Sequence, residues 1–259
     1  MRYQLEFLAR GGMGSAYRGT LGQRSYFLKS APLADAAHLR SEAQILQRLP
    51  LGNFPRFVEV LEDEGQLYLV TEFLEGTTLE DEVQRDPWSY PEDAELRRLA
   101  IDLCTSLESL HGLKPPILFL DLKPANVMRL PDGRLFLVDF GISRPCAGPY
   151  LEGTFEGSPQ TASPEHYMGK LDRRSDLFTA AATVHYVATR GQAARAAHGP
   201  FPSACDYHPG VSPELDAWLK RCLDLNPAGR YRDVTEARTA LAGGAQAPKK
   251  RGWLPWSKA

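Results

Sequence analysis

Two apolar runs, PPILFL (residues 115–120) and LFLVDFG (residues 135–141), enclose a short polar stretch, DLKPAN (residues 121–126). Each run has the length and character of a buried strand. Asp121, Lys123 and Asn126 stand between them, and Asp139 interrupts the second run. Charged and amide groups flanked by buried backbone are unfavourable unless they are paired or serve a ligand. These loops therefore need a reason to be polar, and a functional site is the strongest one. Phe119 and Leu120 lie directly before Asp121, so the loop is entered through two large apolar side chains.

The chain changes character near EGTTL, residues 75–79. Before it, YQLEFLA and SAYRGTL read as strands around a glycine turn, and SYFLKSA as a third strand. DAAHLRSEAQILQRL (residues 35–49) has helical periodicity, with Leu39, Ala43, Leu46 and Leu49 along one face and Glu42 on that same face. FPRFVEVLEDEGQLYLVTEFL reads as two strands joined at EDEGQ. After the change, PEDAELRRLAIDLCTSLESLHGL is a long amphipathic helix. SDLFTAAATVHYVATRG is a helix with few charges and is expected to be buried. SPELDAWLKRCLDLNP opens with a serine-proline cap signal and ends at a proline, and DVTEARTALAGG is a last helix closed by glycines. A small sheet with one helix, followed by helices, is an α+β pattern.

Of the 259 residues, 43% are hydrophobic and 24% charged, with a formal net charge of -2. That balance gives no global attraction to nucleic acid, and none is expected as a partner. Four cysteines, at 104, 146, 205 and 222, form no CxxC pair and read as buried free thiols of a reducing, cytoplasmic compartment. The six histidines show no HExxH spacing. The first residues are too polar for a signal peptide, and no apolar run reaches the roughly 20 residues of a membrane span. Residues 244–259 read as a flexible tail. Its basic residues precede Trp253 and Trp256, which makes membrane contact through residues 249–256 the lesser alternative to a solvated end.

Several residues point to chemistry in combination. ARGGMGSAY (residues 9–17) follows a strand, and Gly11, Gly12 and Gly14 let backbone N–H groups approach phosphate oxygens. Lys29 lies inside an apolar strand and Glu42 on an apolar helix face; together they suggest a partly buried ion pair. Asn126 and Asp139 bring amide and carboxylate oxygens on two loops, a donor set that suits a hard divalent cation such as Mg²⁺. Each of these residues has a commonplace reading as turn, edge or border residue. The ordered set is much harder to obtain by chance.

The set resembles the eukaryotic-like serine/threonine protein kinases of bacteria, with the similarity running from about Tyr3 to Leu241. GGMGSAY resembles the family's glycine loop, YFLKS the strand of its ATP-binding lysine, and Glu42 that lysine's helix partner. TEFLEG resembles the hinge, with Thr71 as gatekeeper. LDLKPANV resembles the catalytic loop, and DFG the start of the activation segment. GSPQTASPE resembles the segment ending in Ala-Pro-Glu, with Ser158 and Glu165, while Asp176 and Arg230 match structural positions. The resemblance implies a bilobal kinase-like fold: a β-rich N-lobe over about 1–71, a hinge over about 72–77 and a mainly helical C-lobe over about 78–243. It implies transfer of the ATP γ-phosphoryl group to Ser or Thr hydroxyls of protein substrates, with Mg²⁺ or Mn²⁺. It assigns Asp121 as the residue that accepts the hydroxyl proton and Lys123 as the support of the transferring group. Asn126 and Asp139 become the metal ligands, and Lys29, held by Glu42, binds phosphate. Gly11, Gly12, Gly14, Ala16, Phe27, Thr71, Glu72, Leu74 and Met128 would surround the nucleotide.

The sequence also departs from that family. Phe119-Leu120 replaces the usual His-Arg before the catalytic Asp. Phe119 is expected to pack on the Phe of DFG, and Asp176 to hold the loop's backbone N–H groups. Leu120 cannot bind an activation-loop phosphate. Ala16 stands where a valine covers adenine, and Phe27 where a small alanine does, so the roof of the site exchanges volume between neighbours. Two other readings remain open at this point: a binding module without transfer, favoured by Phe119-Leu120 and Phe27, and a small-molecule phosphotransferase of similar fold.

Overall fold

The structure is a computed structural model that describes residues 1–12, 14–153, 157–193 and 199–243. Met13 of the glycine loop, Thr154 and the tail from residue 244 lie outside the described residues. Strands β1 (Gln4–Gly11), β2 (Gly14–Leu21), β3 (Arg24–Pro32), β4 (Phe57–Asp63) and β5 (Gln66–Glu72) form one antiparallel sheet in the order β1-β2-β3-β5-β4. The β4–β5 hairpin turns through Glu64 (φ 46°) and Gly65 (φ 76°), two consecutive left-handed residues that match the twist of the strands. Period-two alternation sends Leu28 to the fully buried side beside Tyr3 and Val70 and leaves Phe27 and Lys29 together on the opposite face. The register pairs Ala16 with Lys29, Arg18 with Phe27, and Phe27 with Thr71.

Helix α1 (Ala37–Leu46) packs on β3, β4 and β5 with Leu39, Glu42, Ala43, Ile45 and Leu46 buried. The periodic pattern extends to Leu49, but the helix stops three residues earlier. Pro50 follows, and a proline disfavours helical backbone in the residue before it. β5 ends at Glu72, and β6 (Thr77–Thr78) and α2 (Leu79–Arg85) open the second half.

There, α3 (Asp93–His111) is followed by β7 (Ile117–Leu118), β8 (Val127–Arg129), β9 (Leu135–Leu137), β10 (Arg144–Pro145) and β11 (Leu151–Glu152). Then come α4 (Pro164–Met168), β12 (Lys170–Leu171), α5 (Arg173–Ala188), α6 (Pro213–Cys222) and α7 (Val234–Gly243). The two apolar runs around DLKPAN contain only short strands, and these do not pair with each other. β7 pairs with β10, and β9 with β8. α5 is buried on nearly every side, which explains its lack of an apolar stripe. It packs against α3 and α6, while α3 packs most closely on α7. Cys104, Cys146 and Cys222 are buried free thiols; Cys205 is only half-buried, which corrects the expectation for that residue. None of the described helices is long and apolar enough to cross a membrane.

A buried ion pair links the start of α4 to the loop before α7. Arg230 donates to Glu165 at 2.5 and 2.9 Å, and both side chains are almost wholly buried. Burial acts to raise the Glu165 pKa, but hydrogen bonds from Arg230 and its charge prevail and hold it below the ordinary 4.5. A depressed carboxylate contributes stability that is present above its unfolded pKa and lost as pH falls through the folded value. Glu165→Gln is therefore expected to lower unfolding stability by about 3–5 kcal/mol at neutral pH, because Arg230 is left buried without its counter-charge. The deficit should shrink as pH falls below 4.5. Urea unfolding of both proteins as a function of pH measures it; equal stability at neutral pH would remove this role.

Candidate active site

Lys29 is shared between two carboxylates. Its Nζ donates to Glu42 Oε1 at 2.6 Å and to Asp139 Oδ1 at 2.7 Å. Glu42 Oε1 also accepts from the backbone N–H of Phe140 at 3.1 Å, so α1, β3 and the DFG turn meet at one oxygen. Asp139 sits in left-handed backbone (φ 67°) and accepts from Gly141 N–H at 3.2 Å. Burial pushes the Lys29 ammonium down, but the charges of Glu42 and Asp139 outweigh it and hold its pKa above the ordinary value. Burial and the Asp139 charge raise Glu42 against the pull of Lys29. For Asp139 the effect of burial is overcome by Lys29 and by the Gly141 N–H, and its pKa is lowered. Asp139 is thus firmly ionised and half-exposed, while Glu42 is the buried partner.

The catalytic loop hangs from Asp176. This fully buried carboxylate accepts from Phe119 N–H at 2.9 Å and from Leu120 N–H at 2.8 Å, and lies 2.8 Å from His111 Nε2. Phe119 packs edge-on against Phe140, with ring centroids 5.0 Å apart, and its carbonyl accepts from Ser143 Oγ. Leu120 has φ 70°. Asp121 then presents its carboxylate to Lys123 Nζ (2.8 Å), Ser158 N–H (3.0 Å) and Asn126 Nδ2 (3.1 Å). Lys123 also donates to Ser158 Oγ at 2.8 Å. Asn126 Nδ2 donates to the Asp121 carbonyl as well, at 2.9 Å, so the amide turns its nitrogen toward Asp121 and its oxygen away from it.

Two oxygen donors, from Asn126 and Asp139, suit a Mg²⁺ ion that completes its shell with substrate phosphate and water. Among the described residues there is no cluster of three or more His, Cys, Asp or Glu able to hold a metal by itself.

Between the sheet and the second half lies a cleft of about 490 Å³ whose walls include Leu8, Phe27, Thr71, Glu72, Leu74 and Met128. It falls within the size range of ligand sites. Phe27 lines the cleft without filling it. Gly11, Gly12, Gly14 and Ala16 border the adjoining cavity that holds Lys29, Glu42 and Asp139. Gly14 has φ 141°, and a Cβ there would stand 2.0 Å from the Ser30 carbonyl oxygen, so only glycine lets β2 approach β3 this closely. Arg18, which the sequence pattern does not single out, also lines the cleft, with its guanidinium 4.7 Å from the Phe73 ring.

The stretch just after Asp139 packs on an apolar cluster. Leu120, Leu118, Ile142, Cys146 and Leu171 form a separate buried cluster, with Leu151 against it. Of the hydroxyls between Asp139 and Glu165, Tyr150 is exposed, while Thr161 and Ser163 are buried. His166 and His111 are structural residues of the site that sequence pattern alone misses, because a buried histidine whose partner lies far along the chain has no spacing signature.

If Phe27 covers a nucleotide base as an aromatic roof, Phe27→Ala removes a stacking contact of about 1–3 kcal/mol. ATP affinity is then expected to fall roughly tenfold, read by calorimetric titration. Tighter binding by the variant would identify Phe27 as an obstruction.

The protein kinase domain family matches residues 3–237. The chain is similar to serine/threonine-protein kinase PknB of Mycolicibacterium smegmatis, 31% identical over 78% of this chain and 35% of that protein. It is also similar to a probable serine/threonine-protein kinase, SCO3848, of Streptomyces coelicolor, 30% identical over 93% of this chain and 39% of that protein. A putative leucine-rich repeat receptor-like serine/threonine-protein kinase of Arabidopsis thaliana is 29% identical over 66% of this chain and 20% of that protein. The chain thus spans little more than a third of the length of its bacterial relatives. With a family match over nearly its whole length, this chain belongs to the protein kinase family.

Proposed function

We propose that the chain transfers the γ-phosphoryl group of ATP to Ser or Thr hydroxyls of protein substrates. The observation that carries this reading is the position of Asp121, fixed by Lys123, Asn126 and Ser158 next to a formed Lys29–Glu42–Asp139 network. A substrate hydroxyl beside Asp121 gives its proton to the carboxylate as its oxygen bonds to the γ-phosphorus. The bond from that phosphorus to the β–γ bridging oxygen breaks, and ADP leaves. Lys123, which already reaches both Asp121 and Ser158, is suited to draw negative charge from the transferring group. Lys29 exchanges part of its carboxylate contact for the α- and β-phosphates. A divalent ion held by Asn126 and Asp139 would neutralise phosphate charge. The main-chain edge of Glu72 and Leu74 would meet the base, with Met128 beneath it. The names of the bacterial relatives support Ser and Thr as acceptors.

Asp121→Ala removes the proton acceptor and leaves the phosphate contacts of Lys29 and the glycine loop. Transfer to a protein substrate should fall by about 10²–10⁴-fold, with ATP affinity nearly unchanged. Labelled-ATP transfer together with nucleotide titration separates the two effects. Near-normal turnover would reassign Asp121.

The same reading extends to regulation. Arginine beside the catalytic aspartate couples activity to a phosphate on the activation segment. Here that position is Leu120, buried among Leu118, Ile142, Cys146 and Leu171, which favours a segment ordered by packing and by the Glu165–Arg230 pair. Phosphatase-treated protein and Thr154→Ala should keep initial rates close to the untreated enzyme on a separate substrate. A large fall in both, reversed by autophosphorylation, would mean that another cation has taken over the arginine's role.

A further inference from the structure

We infer that His166 is a positioning residue for Asp121, tying the first turn of α4 to the catalytic loop through its neutral imidazole. The inference rests on the reading of Asp121 as the proton acceptor. His166 is fully buried, follows Glu165 in the chain, and touches two backbone groups whose roles are fixed by chemistry. Ser163 N–H, 3.2 Å from Nδ1, can only donate. The Leu120 carbonyl, 3.2 Å from Nε2, can only accept. Each contact independently demands the same tautomer, with Nδ1 bare and the proton on Nε2. Ser163 Oγ lies 2.7 Å from Nδ1 and completes that end.

The Leu120 carbonyl is a sensitive point at which to hold the loop. The peptide group is planar, so the C=O of Leu120 and the N–H of Asp121 move as one plate. Fixing that carbonyl fixes the direction in which the Asp121 side chain leaves the backbone. Leu120 is also strained: φ 70° is disfavoured for a residue with a Cβ. It is held by Asp176 on its N–H side and by His166 on its C=O side. Without the second tether, the peptide plate next to Asp121 can turn toward a relaxed backbone.

The tether titrates. A proton on Nδ1 would face the Ser163 N–H, donor against donor, and break the arrangement. Asp176 of α5, Glu165 of α4 and Asp121 of the catalytic loop all face the ring and favour that proton. Burial opposes it more strongly and holds the His166 pKa below its ordinary 6.5. A depressed histidine keeps its Ser163 contact above that ordinary value and loses it as pH falls through the lowered one. Nε2–H can still donate to the Leu120 carbonyl, so acid frees the ring from its Ser163 anchor rather than cutting the carbonyl bond itself.

The test compares wild type, His166→Gln and His166→Leu by steady-state transfer to one protein substrate between about pH 5 and 8, and by hydrogen exchange of the catalytic-loop amides. Glutamine keeps an N–H that reaches the Leu120 carbonyl but does not titrate. It should hold kcat within about threefold at neutral pH and lose the acid limb of the wild-type profile. Leucine fills the volume without either bond. It should lower kcat about 10- to 100-fold with little change in the KM for ATP, and speed exchange at Leu120 and Asp121. Wild-type kcat and exchange in the leucine variant, or an unaltered acid limb in the glutamine variant, would overturn the inference. Should the leucine variant fail to fold, the glutamine profile decides. Should wild type transfer no phosphate, the reading of Asp121 fails, and amide exchange against pH in wild type and the glutamine variant still judges the tether.

Discussion

A single buried carboxylate, Asp176, carries the geometry of the site. It lies near the start of α5, out of reach of water, and must spend its charge on hydrogen bonds. Three donors surround it: the N–H groups of Phe119 and Leu120 and the ring of His111. Two of the three belong to backbone, so the loop is fixed whatever side chains stand at those positions. The central helix of the second half therefore sets where Asp121 begins, and the packing of α5 against α3 and α6 is transmitted to the backbone before Asp121 through bonds of 2.8 and 2.9 Å. A carboxylate so placed is intolerant of change, because removing it would orphan three buried donors at once.

A second anchor is electrostatic, and its imbalance is informative. One ammonium faces two carboxylates, so the group carries a net negative charge in a site built for a polyanion. The buried member, Glu42, has its pKa raised, and the outward member, Asp139, has it lowered. The ionised form is thus favoured at the more exposed Asp139 over the buried Glu42. Asp139 is the place where a divalent ion with its phosphates would compensate the negative charge. The same network fixes α1 against the DFG turn through the Phe140 N–H on Glu42, so helix position and phosphate chemistry are not separable.

Much of this was legible from the sequence, and for identifiable reasons. Helices α1, α3, α6 and α7 announce themselves by an apolar face, strands β1 to β5 by composition and turn punctuation, and α5, buried on nearly every side, by a long run with few charges. Lys29 and Glu42 were legible because charge on an apolar face is anomalous. The apolar runs around DLKPAN marked β7 and β9, though as longer strands than form; β6, β8, β10, β11 and β12 and the short helices α2 and α4 were not legible, since so few residues carry no periodicity. The early end of α1 was hidden because Leu49 keeps the apolar pattern after the backbone has turned away from it. His111 and His166 were illegible for a different reason. Their roles depend on partners 65 and 46 positions away, and no local spacing encodes such a contact.

Leu120 stands where a cation would be expected, and the contact it makes is apolar. An arginine buried beside Asp121 would be an unpaired charge until an anion reached it, and its cost would be large enough to make order conditional. Leucine has no such requirement. Its side chain joins Leu118, Ile142, Cys146 and Leu171, and β10 pairs with β7 across the same region. Apolar burial acts without a partner ion and is insensitive to salt. What packing lacks is direction: it holds the side chain of Leu120 but does not orient the peptide plane behind it. Orientation comes from hydrogen bonds, at the N–H by Asp176 and at the carbonyl by His166. A left-handed leucine next to Asp121 is thus held by two directional contacts and one non-directional cluster acting on the same residue. The apolar substitution is compatible with an ordered loop because the polar contacts beside it are to the main chain.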